Sequence, residues 1–129
     1  MLLLCYNLAL ARTLNEMVSK RKARRGHITV RSWETLGKEL FGWAKTPWKE
    51  PSDNEERRRY FTETVPATML RIVREKKFCP RFDALVVDEG QDHDTSLAGT
   101  SPGGDGAGWW DIYWKLLNGG PEAYGAQLN

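Results

Sequence analysis

At 129 residues, with 40% hydrophobic and 28% charged side chains, the chain has the length of one domain and the make-up of a globular one, which excludes an intrinsically disordered polymer. The net charge of +2 excludes a polycation, so a nucleic-acid role has to rest on where particular cations sit. No apolar stretch reaches the roughly 18 residues of a membrane span, and Met1–Cys5 is too short for a signal-peptide core, so a soluble, cytoplasmic protein is expected. Cys5 and Cys79 form no C-x-x-C and read as reduced thiols. Two histidines and two scattered cysteines make no zinc site.

Leu2 to Tyr6 is a continuous apolar run, the signature of a buried strand. Asn7 can cap the helix that follows, in which Leu8, Leu10, Ala11, Leu14, Met17 and Val18 recur at helical spacing. A basic turn from Lys20 to Arg25 is closed by Gly26, and His27–Val30 is a short β-branched strand. Ser32 can cap a second helix with Trp33, Leu36, Leu40 and Phe41 on its apolar face; a loop follows from Gly42 to Pro51. Ser52-Asp-Asn-Glu55 fits a capping box. The helix it opens carries Tyr60 and Phe61, and Pro66 suits the first turn of a separate helix with Met69, Leu70, Ile72 and Val73 inward. Two helices are expected here because proline within one costs about 3 kcal/mol. Phe82–Val87 is the second buried strand, Ser96–Gly108 a glycine-rich loop, and Trp109–Leu117 a last amphipathic helix. Strands alternating with helices predict an α/β fold with a parallel sheet flanked by helices. Such sheets bind ligands at the carboxyl ends of their strands, where Asn7, Arg31, Ser32 and Asp88–Asp92 fall.

The most specific feature is Leu85-Val-Val-Asp-Glu-Gly-Gln-Asp92. An apolar strand delivers two adjacent carboxylates to the sheet edge, as nucleotide hydrolysis requires. One carboxylate holds Mg²⁺ through water, and the other orients the attacking water. The plainer alternative is an acidic turn after a core strand.

Asp88-Glu-Gly-Gln-Asp92 resembles motif II, the Walker B strand end, of the UvrD/Rep-like superfamily 1 DNA helicases, which usually reads D-E-x-Q-D. The resemblance implies a partial RecA-like P-loop NTPase core spanning residues 1–129, with ATP and Mg²⁺ as cofactors. It implies that Asp88 serves the metal, that Glu89 is the catalytic base, and that Gln91 and Asp92 couple the nucleotide site to neighbouring motifs. The family uses ATP hydrolysis to move along single-stranded DNA, work tied to DNA repair.

Two further segments are similar to motifs of the same family. Leu2-Leu-Leu-Cys-Tyr-Asn7 resembles motif Ia, an apolar strand followed by Y-N or T-N and a helix, which implies contact of Tyr6 and Asn7 with the single-strand backbone. Physically, a helix N-terminus presents free N–H groups to phosphate; the alternative is that Asn7 only caps. Ile28-Thr-Val-Arg-Ser-Trp33 resembles the next motif, typically T-F-H-S and an apolar residue. Here Val30 replaces the aromatic and Arg31 the histidine, while Ser32 and Trp33 fit. Arg31 can pair with a phosphate and Ser32 can donate to one, or Ser32 caps a helix and Trp33 enters the core. The basic run Lys20–Arg25 either tracks phosphates or is a solvated helix end. The six tryptophans read mainly as packing, and Trp109-Trp110 matches a W-W pair often found after motif II.

No G-x-x-x-x-G-K-[ST] occurs in the chain, so the loop that cradles phosphates is missing, as is the family's second motor domain. Both ends read as abrupt, and a piece of a larger motor is expected, with the remainder as partner. Two alternatives stand beside it: a non-enzymatic single-strand-binding or interaction protein derived from such a motor, and a metal-dependent nuclease using Asp83, Asp88, Glu89, Asp92, His93 and Asp94. The nuclease lacks the E-x-K that would complete its usual arrangement.

Overall fold

The computed structural model describes residues 1–21, 26–75, 81–89 and 109–118. In chain order these hold β1 (Leu2–Cys5), α1 (Leu8–Lys20), β2 (Thr29–Ser32), α2 (Trp33–Trp43), α3 (Asn54–Arg59), a π-helical turn (Tyr60–Thr64), α4 (Val65–Glu75), β3 (Leu85–Val87) and α5 (Trp109–Leu116). The sheet has the order β2-β1-β3, and both pairings are parallel. The fold is therefore α/β with a parallel sheet flanked by helices. No helix among the described residues is long and apolar enough to cross a membrane.

Strand alternation sorts the apolar side chains onto two faces. Leu2 and Leu4 of β1, with Leu85 and Val87 of β3, meet α2, α4 and α5 in the main core. The helices contribute Leu36, Leu40, Phe41, Met69, Leu70, Ile72, Ile112, Tyr113 and Leu116 to it. On the other face Cys5 and Val30 pack with Ala11 of α1, joined by partly buried Leu3, Leu14, Val18 and Ile28.

Both later strands differ from the sequence expectation: β2 keeps its length but lies two residues further along, and β3 is shorter. β2 begins at Thr29 rather than His27 because pairing with β1 starts there: Thr29 N–H donates to the Met1 carbonyl at 2.8 Å, and Leu2 faces Thr29. β3 begins at Leu85 rather than Phe82. Phe82 instead bridges Leu117, donating to the Leu116 carbonyl at 2.8 Å and accepting from Asn118 N–H at 2.9 Å.

Nor is β3 buried on both faces, since Val86 is 45% exposed. The crossover from β1 through α1 to β2 covers the β1–β2 half of its face. Of the apolar residues in α1 only Ala11 is fully buried, while Leu8, Leu10 and Met17 are exposed. These positions span a wider arc than two strands can cover. Met17→Lys and Val86→Thr are expected to shift stability by no more than about 0.5 kcal/mol and to lower aggregation, read as light scattering against concentration. A melting midpoint that drops with either substitution would show that these side chains are packed.

The segment after α2 departs from expectation twice. The cap of α3 is Asp53, not Ser52, and its carboxylate accepts from Glu55 and Glu56 N–H at 3.1 and 3.0 Å. The helices on either side of Pro66 are not separated. The backbone stays right-handed helical from α3 through the π turn, and Val65 N–H reaches back five residues to the Tyr60 carbonyl. Proline has no N–H to donate, and its ring crowds the carbonyl four residues earlier. The wider π turn takes up that conflict without breaking the helical run.

An aromatic cluster ties this run to α2. Trp48 meets Phe41, Tyr60 and Phe61 at ring-centroid distances of 4.9, 5.7 and 5.9 Å, and Tyr60 Oη accepts from Lys49 N–H at 3.0 Å. Gly37 permits the approach: a Cβ there would lie 3.3 Å from both the Trp48 ring and Met69 Sδ. Trp33, Trp43, Trp109 and Trp110 pack against the same core, as the sequence suggested for most tryptophans.

Candidate functional site

Three parallel strands end at one edge, so the residues that follow them are brought together by topology. β1 leads into Tyr6 and Asn7, β2 ends at Ser32 with Trp33 next, and β3 leads into Asp88 and Glu89. Because β1 is central, Asn7 emerges between the other two.

Asn7 caps α1, its Oδ1 accepting from Ala9 N–H at 2.7 Å and from Leu10 N–H at 3.3 Å. These bonds occupy two of the N–H groups that a phosphate would use. Tyr6 is 61% exposed beside it. Ser32 is buried; its Oγ accepts from Thr35 N–H at 3.2 Å and shares a 2.9 Å hydrogen bond with Thr35 Oγ1. The helix-cap role expected of Ser32 is therefore present. Thr35 was not singled out from sequence, although the S-x-x-T spacing could have found it.

Trp33 sits half-buried, edge-on to Phe61 at 5.8 Å and Trp109 at 5.9 Å. Its ring is engaged in packing. Arg31 is also engaged: Nε donates to Glu39 Oε1 at 2.6 Å and Nη1 to the Val30 carbonyl at 2.8 Å. Glu39 lies eight residues on, across a strand-to-helix turn, and no local pattern announced it.

At the end of β3, Asp88 N–H donates to the Leu4 carbonyl at 2.9 Å, extending the ladder by one residue. Asp88 is thereby fixed against the central strand. Glu89 follows with φ 54°, a left-handed conformation that costs a residue with a Cβ about 1 kcal/mol or more. The chain turns sharply there, immediately after the strand. Gln91, Asp92, Cys79 and residues 22–25 of the basic run lie outside the described residues.

Cys5 shares this neighbourhood. Burial pushes its thiol pKa up, and the Asp88 carboxylate pushes it further in the same direction. Burial also raises the Tyr113 hydroxyl well above the usual phenol range. In both cases the folded state favours the protonated form. The stabilising contribution is therefore complete below the unfolded values, about 8.5 for cysteine and about 10 for tyrosine. It is lost as pH rises through the folded values. Urea melts should accordingly show stability falling from about pH 8.5 upward. Cys5→Ala should flatten the lower part of that fall and Tyr113→Phe the upper part. A flat profile would contradict the burial of both groups.

Among the described residues no three His, Cys, Asp or Glu side chains converge as a metal cage. The Asp88 carboxylate suits a hydrated Mg²⁺ all the same, because that ion keeps several waters and takes only one or two protein carboxylates. Comparison with protein-family models, with curated proteins and with solved structures yields no match for this chain.

Proposed function

We propose that these residues are part of the first motor domain of a UvrD/Rep-like superfamily 1 DNA helicase, with a RecA-like core, and contribute the acidic half of its ATP site. The observation that carries this reading is the common carboxyl edge: Tyr6 and Asn7, Ser32, and Asp88 and Glu89 follow three adjacent parallel strands. Mg²⁺ bound with ATP would neutralise phosphate charge. Asp88 would hold that ion's water shell from a position fixed by its bond to Leu4. Glu89 would accept a proton from the attacking water. Tyr6, Asn7 and Arg31 would line the path of single-stranded DNA along the same edge, while Ser32, as the cap of α2, and Trp33, packed on Phe61 and Trp109, would support it from within.

Asn7 offers a clean test, because its capping and phosphate roles can be separated. Asp caps a helix about as well as Asn, so Asn7→Asp should leave the melting midpoint almost unchanged. It also puts an anion where a phosphate would sit. Binding of a fluorescent oligothymidylate, followed by anisotropy at low salt, should therefore weaken about tenfold or more in Asn7→Asp. It should also weaken steeply with added salt in the unsubstituted chain. Equal binding by the two chains would remove Asn7 from the DNA path. The absence of G-x-x-x-x-G-K-[ST] from the 129 residues favours, as a second reading, a non-enzymatic single-strand-binding protein. That reading predicts the same DNA affinity with and without Mg²⁺ and ATP.

A further inference from the structure

Arg31 is the penultimate residue of β2 and pairs in register with Leu4, on the sheet face turned toward α2, α4 and α5. Glu39 lies six residues into α2, about 9 Å back along the helix from its first residue. A bond to Glu39 therefore draws the guanidinium away from the carboxyl edge. Two of its donors are already used, Nε by Glu39 at 2.6 Å and Nη1 by the Val30 carbonyl at 2.8 Å. The pair remains within reach of solvent, with 31% of the Arg31 side chain and 49% of the Glu39 side chain exposed.

We propose that Glu39 is an internal competitor for Arg31, so that a phosphate-bearing strand gains this cation only by displacing the carboxylate. The inference rests on the single-strand reading above and adds a residue that tunes it. A guanidinium fork recognises carboxylate and phosphate with the same geometry, so the two are alternative ligands of one group. A half-exposed ion pair is weak enough to be exchanged. While the pair holds, Arg31 contributes little to binding. When a phosphate takes the guanidinium, the freed Glu39 carboxylate returns to water at little cost because it is already half-exposed. Glu39 is thus a positioning residue that acts through Arg31 and lowers affinity.

The test is a double-variant cycle on the full chain, read by anisotropy of a fluorescent oligothymidylate at low salt, with thermal melts to verify folding. Glu39→Gln should bind about two- to five-fold tighter, as release of an exposed ion pair allows. Arg31→Ala should bind more weakly than the unsubstituted chain. Adding Glu39→Gln to Arg31→Ala should then give no gain, and Glu39→Ala should repeat the pattern. A gain of the same size in the Arg31→Ala background would overturn the proposal, since Glu39 would then act only as a distant negative charge. So would a Glu39→Gln chain with unchanged affinity while Arg31→Ala weakens binding. Failure of every chain to bind the oligonucleotide would instead bring down the single-strand reading itself.

Discussion

Leu4→Ala is expected to destabilise the fold by about 2–5 kcal/mol, enough to leave a domain of ordinary stability largely unfolded at its lower limit. Leu4 lies in the central strand, is 1% exposed, and packs in the core shared with α2, α4 and α5. Its neighbours on the sheet are Arg31 and Val87, and its carbonyl anchors Asp88. Removing the side chain leaves a cavity bounded by backbone ladders on both sides, which cannot collapse to fill it. Urea denaturation monitored by tryptophan fluorescence should show a lower midpoint with little change in slope. Leu8→Ala is the internal control: Leu8 is exposed, so its truncation should cost well under about 1 kcal/mol. Similar losses at both positions would contradict the two-faced assignment of β1 and α1.

The second large effect concerns Glu89. The 129 residues alone should give no ATP turnover, with or without Mg²⁺ and single-stranded DNA, because the carboxylates have no phosphate cradle to act with. In a polypeptide that joins these residues to such a loop, Glu89→Gln should lower kcat by about 10²–10⁴, the usual contribution of a general base. Nucleotide affinity should change far less, since Gln keeps the shape and loses only the charge. Phosphate release measured on the two chains decides the matter. Turnover by the 129 residues that disappears in Glu89→Gln would mean that the phosphates are held by groups other than a G-K-[ST] loop. DNA cleavage dependent on Mg²⁺ or Mn²⁺ and lost in Asp88→Ala would favour the nuclease instead.

Much of this architecture was legible in the residues themselves, because local physics dominates there. The apolar runs at Leu2 and Leu85, the caps at Asn7 and Ser32, and the inward face of α4 were all evident. Each depends on a residue and its neighbours within one or two turns. The adjacent carboxylates of Asp88 and Glu89 at a strand end were legible for the same reason. The chain by itself also determined the alternation of strand and helix, from which a parallel sheet with one common carboxyl edge follows.

Only the tertiary structure decided the rest. Where β2 and β3 begin was set by register against β1, and Phe82 was diverted to Leu117 by a partner 35 residues away. The helical run across Pro66 kept its course because a π turn could absorb the missing hydrogen bond, a remedy no propensity scale encodes. The exposure of Leu10, Met17 and Val86 depends on how many strands α1 can cover. The capture of Arg31 by Glu39 depends on α2 folding back along β2. Periodicity tells which side chains seek burial and which seek a partner; the partner itself is chosen by contacts between segments distant in sequence, and those exist only once the sheet has formed.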